Sequence, residues 1–392
     1  METRFETIDG RSTQFRLMMG VLVLLILAGL WSTWVMYWQG LQVTGMTNRV
    51  PWGLQIIMAV FYVGLSAGSL VISSLYAIFG KNEYKAFARI SVTLAILFLV
   101  AALLSIILDW GRPDRIFVPF QYFNPLSMFT INPFLYITYI GICMVYLWAM
   151  FAERAKFIPV IATVAVVWAI GVHSGTGAIF GFVPRELYQS ALSPPSFISA
   201  ALSSGTAMMI LVILGLFRLT KRPLDEELLV RLGRLLGIFI FIVMYFIAVE
   251  NIYRVYLPQS HHAGMYFLFG GTHSLVFWVG MICIGMIVPV IILLSGKTGR
   301  SIPWISFASV LVVFGVLCER YLIVVPGQLS PPELFPGWEI TYSVLDEGPA
   351  TYTIGWLEVV QAVGILAIIS FVFVVGLKFL KLLPTEARSL EA

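Results

Sequence analysis

Ten long apolar stretches constrain the fold of this chain more than any other feature of its sequence. Each is long enough to cross a bilayer as an α-helix, which takes about 20 mostly apolar residues. In chain order they cover residues 16–38, 54–80, 86–109, 132–152, 158–178, 195–219, 231–256, 268–295, 303–325 and 352–381. Because the stretches are continuously apolar instead of alternating with polar residues, they exclude a transmembrane β-barrel. The predicted fold class is an all-α, polytopic membrane protein with about ten transmembrane helices.

The composition excludes several classes of protein. Hydrophobic residues make up 59% of the 392 residues and charged residues only 11%, which excludes an ordinary soluble enzyme. The 24 basic residues barely outnumber the 20 acidic ones and form no basic stripe, so a nucleic-acid partner is excluded as well. The cysteines, Cys143, Cys283 and Cys318, lie far apart and form no Cys-x-x-Cys pair. Any metal centre therefore belongs to a partner protein.

Lysine and arginine predict the orientation in the membrane, because cytoplasmic loops carry an excess of both. Eighteen of the 24 fall on the side of the N-terminus. The other six are Arg49, Arg112, Arg115, Arg185, Arg254 and Arg320. The first stretch is too long for a removable signal peptide and lacks a small-residue cleavage site, so it is expected to remain as a helix. We therefore predict a multi-pass protein of a prokaryotic cytoplasmic membrane, with both termini in the cytoplasm.

The predicted extracytoplasmic loops are long and rich in Pro, Gly and aromatic residues, whereas the cytoplasmic ones are short and charged. Loops longer than about 12–15 residues are usually functional or docking surfaces. The extracytoplasmic loops cover residues 50–52, 110–131, 181–195, 258–271 and 326–351. They predict a docking partner or a substrate entrance on that side of the membrane.

Few ionisable residues lie at membrane depth, and the acids among them fall toward the extracytoplasmic half. A charge at the bilayer centre costs about 2.5–3.5 kcal/mol even on the insertion scale, so such residues are candidates for function. The acids are Asp109, Glu250, Glu319 and Glu358. Arginines close in sequence, such as Arg112 after Asp109, could pair with them and lock helix ends. The clustering of all four acids favours instead a shared polar cavity.

The four histidines fall toward the same half. The loop pair His261–His262 is interpreted as structural, whereas His173 ends the fifth stretch and His273 opens the eighth. Gly175 and Gly177 would let a helix or a flat ligand approach the backbone beside His173. A neutral imidazole at that position could hydrogen-bond a ligand oxygen and pass on a proton.

A repeated ending suggests an internal duplication within one membrane domain, residues 1–392. The third and seventh stretches both end in an acid that is followed three or four residues later by an arginine. We predict a first four-helix bundle over residues 54–178 and a second over 195–325, with flanking helices at 16–38 and 352–381. Membrane transporters and redox proteins commonly place a site between such repeats.

Five short motifs link the sequence to a known family. They are Pro51-Trp52-Gly53 before the second helix, residues 109–113 after the third, Asn132-Pro133 at the fourth, His173 at the fifth, and Glu250 with Arg254 at the seventh. With these motifs the chain resembles the NrfD/PsrC type of polysulfide reductase-like membrane subunit, the quinone-interacting anchor of multi-subunit iron–sulfur oxidoreductases. The likeness covers nearly the whole chain. The ten-helix length is similar to the longer branch of DsrP-, HmcC- and HybB-like subunits.

The resemblance implies a subunit with no haem and no iron–sulfur cluster of its own, which binds menaquinone or ubiquinone in the outer half of a four-helix bundle. It also implies electron exchange with an extracytoplasmic ferredoxin-like iron–sulfur subunit and further oxidoreductase subunits, with sulfur metabolism as the first expected setting. A quinone needs an apolar slot, a few polar groups and a proton route, which agrees with the residues. The proton-exchanging candidates are Asp109, His173 and Glu250. The ligand-binding candidates are Arg112, Tyr253, Arg254 and His273.

Two other functions fit the same features. A secondary transporter could also use ten helices, a repeat and buried acids, although its polar residues would be expected at the midplane. A b-type cytochrome needs axial histidines on facing helices, and His173 with His273 could supply them. An absorption spectrum of the purified chain separates haem binding from a haem-free quinone site.

The sequence also bears on energy conservation. The second helix carries Ser66, Ser69 and Ser73 on one face, where they could hold a file of water. Small residues at this spacing, with Gly64 and Gly68 beside them, more commonly allow close helix packing. Because hydroxyl groups alone do not make a pump, we predict that quinone turnover is electroneutral or only weakly coupled to proton transport.

Overall fold

The computed structural model describes residues 4–329, 333–335, 338–339 and 350–385. Ten helices in these ranges are long and apolar enough to cross a membrane. They are α1 (Thr13–Gln39), α2 (Leu54–Ala77), α3 (Lys85–Asp109), α4 (Met128–Phe151), α5 (Ile158–Gly181), α6 (Ser193–Thr220), α7 (Glu226–Tyr256), α8 (Gly271–Leu294), α9 (Ile302–Val324) and α10 (Trp356–Phe379). Each predicted stretch coincides with one helix, so the predicted all-α, multi-pass membrane fold is confirmed.

Short elements join the helices. 3₁₀ turns and short helices lie at Leu41–Val43, Asn82–Tyr84, Pro113–Arg115, Val118–Gln121, His261–Phe269, Thr298–Arg300 and Pro326–Leu329. The strands are β1 (Phe5–Glu6), β2 (Glu333–Phe335), β3 (Trp338–Glu339) and β4 (Leu383–Pro384). β1 pairs antiparallel with β4, and β2 with β3. Most of the predicted loop 326–351 lies outside the described residues.

The β1–β4 pair gives the two ends of the helical array their names here. It brings both chain ends together at one end, called the terminal end, and the opposite end is called the Asp109 end. At the terminal end, Arg89 donates from Nη1 to the Lys381 carbonyl and from Nη2 to the Met150 carbonyl, both at 2.9 Å. Its guanidinium also lies 3.9 Å from the centre of the Phe5 ring. These contacts close the terminal end of α3.

Local signals set the helix ends. Ser12 caps α1 by accepting a hydrogen bond from the Phe15 amide at 3.1 Å. α10 begins at Trp356, later than the apolar stretch predicted, because the Glu358 side chain accepts a hydrogen bond from the Gly355 amide at 2.8 Å. That contact fixes where the last helix starts.

The helices pack in two groups and one outer pair. Helices α2 to α5 pack around one another, as do α6 to α9, and α2 joins the groups by contacting α6 and α9. α2 and α6 cross at Gly68 and Gly205, where a Cβ atom on either glycine would collide with the backbone of the other helix. α1 packs against α10, which in turn contacts α2 and α3. Each group can therefore enclose a space of its own.

Candidate functional site

A cavity of about 1120 Å³ lies among α2, α3, α4 and α5 at the Asp109 end. It is roomy for a small-molecule site, since such pockets typically measure about 300–1,000 Å³. Much of its wall is apolar: α2 contributes Ile56, Val60 and Val63, and α3 contributes Leu103 and Ile107. An apolar wall of this kind suits a flat, largely apolar ligand.

Two connecting segments cover the cavity at the Asp109 end. The segment between α1 and α2 contributes Met46 and Trp52, and the segment after α3 contributes Trp110, Phe120 and Tyr122. Both segments contain residues of the loops that the sequence predicts to be functional. Movement of either segment would change access to the cavity.

Asp109 supplies a carboxyl group to the cavity wall. It is the last residue of α3 and is only 5% exposed. Its carboxyl group interacts with the backbone amide of Gly53 at the start of α2. Its Oδ1 atom has no hydrogen-bond partner among the described residues. A buried carboxyl group with one free oxygen can hold or pass on a proton for a bound ligand.

Asn132, Tyr136 and Thr176 add neutral polar groups to the same wall. Asn132 donates from Nδ2 to a carbonyl of its own helix at 2.7 Å and to the Gly175 carbonyl at 3.0 Å, while its Oδ1 has no partner among the described residues. The Tyr136 and Thr176 hydroxyl groups lie 2.8 Å apart. Because Thr176 donates its own proton to a carbonyl of α5 at 2.7 Å, Tyr136 is the donor between them. Asn132 and Tyr136 therefore have hydrogen-bond acceptors left for a ligand.

Sequence reasoning missed the roles of Tyr136 and Thr176, because neutral hydroxyl groups inside apolar stretches give no charge signal. Helical spacing could have found them: Tyr136 follows Asn132 by four residues, and Thr176 follows His173 by three. The close approach predicted at Gly175 is made by a helix. A Cβ atom there would lie 2.7 Å from Asn132 Oδ1.

His173 lies behind the cavity wall, between the two helix groups. The side chain is buried, its Nδ1 lies 2.9 Å from the Ala169 carbonyl, and its Nε2 has no hydrogen-bond partner among the described residues. The ring interacts with the backbone of Val63, whose residue also lines the cavity, and with the charge of Arg320 on α9. Val63 therefore stands between the imidazole and the cavity.

A second and much smaller cavity, of about 60 Å³, lies among α6 to α9. Glu250 and Arg254 line it and form an ion pair, with 2.7 Å between Oε1 and Nη2. Glu319 lines the same cavity, and its Oε2 lies 3.9 Å from Nη2 of the fully buried Arg320. The predicted shared cavity of four acids is therefore wrong: each helix group encloses its own space, and Glu358 lines neither.

Arg112 does not take the position that the sequence suggested. Its Nε lies 3.2 Å from Asp114 Oδ1 on the exposed surface, so it does not pair with Asp109. The reason is Gly111, whose φ of +64° ends the helical course before Arg112 is reached. The hydrogen bond and charge of the Arg112 guanidinium lower the pKa of Asp114.

Tyr253 and His273 also lie away from the larger cavity. Tyr253 is 53% exposed on α7. His273 on α8 contacts Tyr321 of α9, with 3.4 Å between its Nδ1 and the tyrosine hydroxyl. Among the predicted site residues, the structure brings Asp109 to the larger cavity and Glu250 with Arg254 to the smaller one.

The comparisons with known proteins agree with this picture. The family described as "Polysulphide reductase, NrfD" matches residues 42–332. Over 391 residues the chain is 38% identical to the Hdr-like menaquinol oxidoreductase integral membrane subunit of Archaeoglobus fulgidus, which covers 99% of this chain and 98% of the relative. It is 27% identical to a selenate reductase subunit of Mesobacillus selenatarsenatis, with 90% and 91% covered. It is 23% identical to a polysulfide reductase subunit of Wolinella succinogenes, with 72% and 95% covered. The chain therefore belongs to the NrfD polysulphide reductase family.

Proposed function

We propose that this chain is the membrane subunit through which a multi-subunit oxidoreductase exchanges electrons with menaquinone or ubiquinone. The observation that carries the proposal is the 1120 Å³ apolar cavity with an unpartnered oxygen of Asp109 in its wall. The names of the relatives support it, since one is a subunit of a menaquinol oxidoreductase and another belongs to a polysulfide reductase. The second name also supports the proposal of a role in sulfur metabolism.

The donors and acceptors of the cavity favour the reduced form of the ligand. A quinol presents two hydroxyl donors, whereas a quinone presents two carbonyl acceptors. Asn132 Oδ1 and the Tyr136 hydroxyl oxygen are left as acceptors, because their protons are used within the protein. The unpartnered Asp109 oxygen can accept a proton when the quinol is oxidised. We therefore propose that quinol is the form bound for reaction.

The other two proton-exchanging candidates lie farther from this cavity. His173 is separated from it by Val63, and Glu250 belongs to the smaller cavity, where it is paired with Arg254. We keep both as proposals for later steps of proton transfer, after a proton has left the quinol. Asp109 is proposed as the group that meets the quinol directly.

A bulky side chain in the cavity tests this function. Leu103 lines the cavity, whereas its neighbour Leu104 on α3 does not. Leu103→Trp is expected to occupy space that the quinol needs, so quinol turnover should fall at least about tenfold, which corresponds to about 1.4 kcal/mol. Quinone extracted from the purified complex should fall in parallel.

Leu104→Trp is the matched control and should retain both turnover and bound quinone. A normal quinone content in the Leu103→Trp complex would show that the ligand binds elsewhere.

We also propose that a ferredoxin-like iron–sulfur subunit docks at the Asp109 end, on residues 110–131 and 181–195. Large apolar side chains are exposed in the first of these segments, including Leu126 at 89% and Tyr122 at 78% exposure. Tyr122 and Ile116 also contribute to the cavity wall. A redox centre docked there would lie close to a quinol in the cavity.

A photoreactive amino acid at Leu126 should crosslink to the iron–sulfur subunit in the intact complex. The control position is Phe157, which is 61% exposed in the α4–α5 turn at the terminal end and should give no such crosslink. Capture of cytoplasmic proteins alone from Leu126 would contradict the proposed docking side. The same result would also contradict the predicted orientation of the termini.

We propose that quinol turnover is electroneutral, with protons exchanged at the Asp109 end. The hydroxyl groups of Ser66 and Ser69 donate to helix carbonyls at 2.5 and 2.7 Å, and Ser73 lies 2.6 Å from the Tyr146 hydroxyl. These contacts hold helices together and engage the groups that could line a water file. The contacts of Arg89 close the terminal end below them.

Sealed vesicles containing the complex should therefore develop little membrane potential or internal pH change during turnover. The double variant Ser69→Ala, Ser73→Ala should behave like the parent complex in both measurements. Strong proton uptake from the terminal side, lost in the double variant at normal quinol turnover, would instead indicate a proton channel along α2.

A further inference from the structure

Glu358 of α10 is a buried carboxylate that lines neither cavity. Its Oε1 accepts hydrogen bonds from the Leu54 amide at 3.0 Å and from the Tyr352 hydroxyl at 2.8 Å. Its Oε2 accepts from the Gly355 amide at 2.8 Å and from the Gly45 amide at 3.3 Å. All four donors are neutral, and one of them is the first amide of α2. A carboxylate is favoured at a helix N-terminus, where amide groups lack partners within the helix.

Two of these donors lie at the two ends of one segment. Residues 45–54, called the strap here, connect α1 to α2, and Glu358 holds both the Gly45 and the Leu54 amides. The strap contributes Met46 and Trp52, among others, to the wall of the larger cavity. One buried side chain on the last helix therefore fastens part of the cavity wall.

Gly53 links this anchor to Asp109. A Cβ atom on Gly53 would collide with Glu358 Oε1, so the two groups are in close contact. The amide of the same residue interacts with the Asp109 carboxyl group. The position of Glu358 thus determines where the strap backbone meets the proposed proton acceptor.

We propose that Glu358 is a positioning residue for the quinol reaction, which holds the strap closed over the cavity and sets the Gly53 amide against Asp109. This inference rests on the proposed function. Glu358→Gln keeps the size of the side chain but replaces one acceptor oxygen with an NH₂ group that cannot accept from an amide donor. At least one end of the strap then loses its partner, and an unsatisfied buried amide destabilises the closed position.

The experiment measures the strap and the reaction separately in the purified complex. Val50 lies in the strap and is fully buried, so Val50→Cys should react with a membrane-impermeant maleimide only when the strap opens. Glu358→Gln should raise that labelling rate at least about tenfold and raise the KM for a short-chain menaquinol by a similar factor, with a smaller change in kcat. A purely structural cap would lower stability without raising KM.

Gln361→Leu is the matched control, because it removes another buried contact of α10, the 3.0 Å hydrogen bond from Gln361 Nε2 to Thr33 Oγ1. It should leave labelling and KM at the parent values. If Glu358→Gln does not assemble, Gly53→Ala tests the same contact and should also raise KM.

Unchanged labelling and KM in an assembled Glu358→Gln or Gly53→Ala complex would overturn the inference. The proposed function would still stand in that case if Leu103→Trp abolishes quinol binding. Conversely, increased labelling of Val50→Cys in a complex whose cavity binds no quinol would reject the proposed function while confirming that Glu358 holds the strap.

Discussion

Asp109→Asn is expected to lower quinol turnover by about 10²–10⁴-fold, the usual contribution of a general base, while the complex still assembles. Asparagine matches the carboxyl group in size and can still accept a hydrogen bond from the Gly53 amide. It cannot take a proton from a quinol hydroxyl group. The loss should appear in kcat, because the apolar wall that holds the ring is unchanged. Turnover of the purified complex and its quinone content are the two measurements.

Asp9→Asn is the control, since Asp9 is exposed near the N-terminus at the terminal end. It should have full activity and the same subunit composition. Asp109→Asn turnover within a factor of about two of the parent would show that another group receives the proton, because a positioned base contributes far more than that.

Much of the fold could be predicted from the sequence because hydrophobic length alone identifies a spanning helix. The ten stretches matched ten helices, and errors were confined to helix ends such as the start of α10. Hydropathy does not encode which helices become neighbours in the membrane. The prediction of one cavity shared by Asp109, Glu250 and Glu319 failed for that reason: α2 and α6 pack together between the two helix groups.

The candidate site was predictable only where charge or local spacing marked it. The Glu250–Arg254 pair follows from helical spacing and is present at 2.7 Å. Arg112 follows the same rule of spacing, but Gly111 ends the helix before it, so the pair with Asp109 does not form. Glu358 stood out as a buried acid, yet its partner Leu54 is separated from it by 304 residues in sequence. No local pattern reports such a contact.

His173→Gln is expected to slow quinol turnover by about 10²-fold or more, the scale of a lost proton-transfer group, while leaving the quinone content of the complex unchanged. The reason for this split is geometric. Val63 separates the imidazole from the cavity, so His173 cannot contribute to quinol affinity through direct contact. Its unpartnered Nε2 can still receive a proton after the quinol has been oxidised. A glutamine can keep a hydrogen bond to the Ala169 carbonyl but cannot exchange a proton near neutral pH.

The pH dependence separates this role from simple packing between α2 and α5. An imidazole that must be neutral to accept a proton makes kcat fall as the pH is lowered, because the protonated ring can no longer act as an acceptor. Arg320, the charged group facing the ring, keeps its charge throughout the accessible range and contributes no such change. The small residual turnover of His173→Gln should therefore lack the acid-side decline seen in the parent. A variant with lower thermal stability but a parental kcat and pH profile would show that His173 only fills the junction between the helix groups.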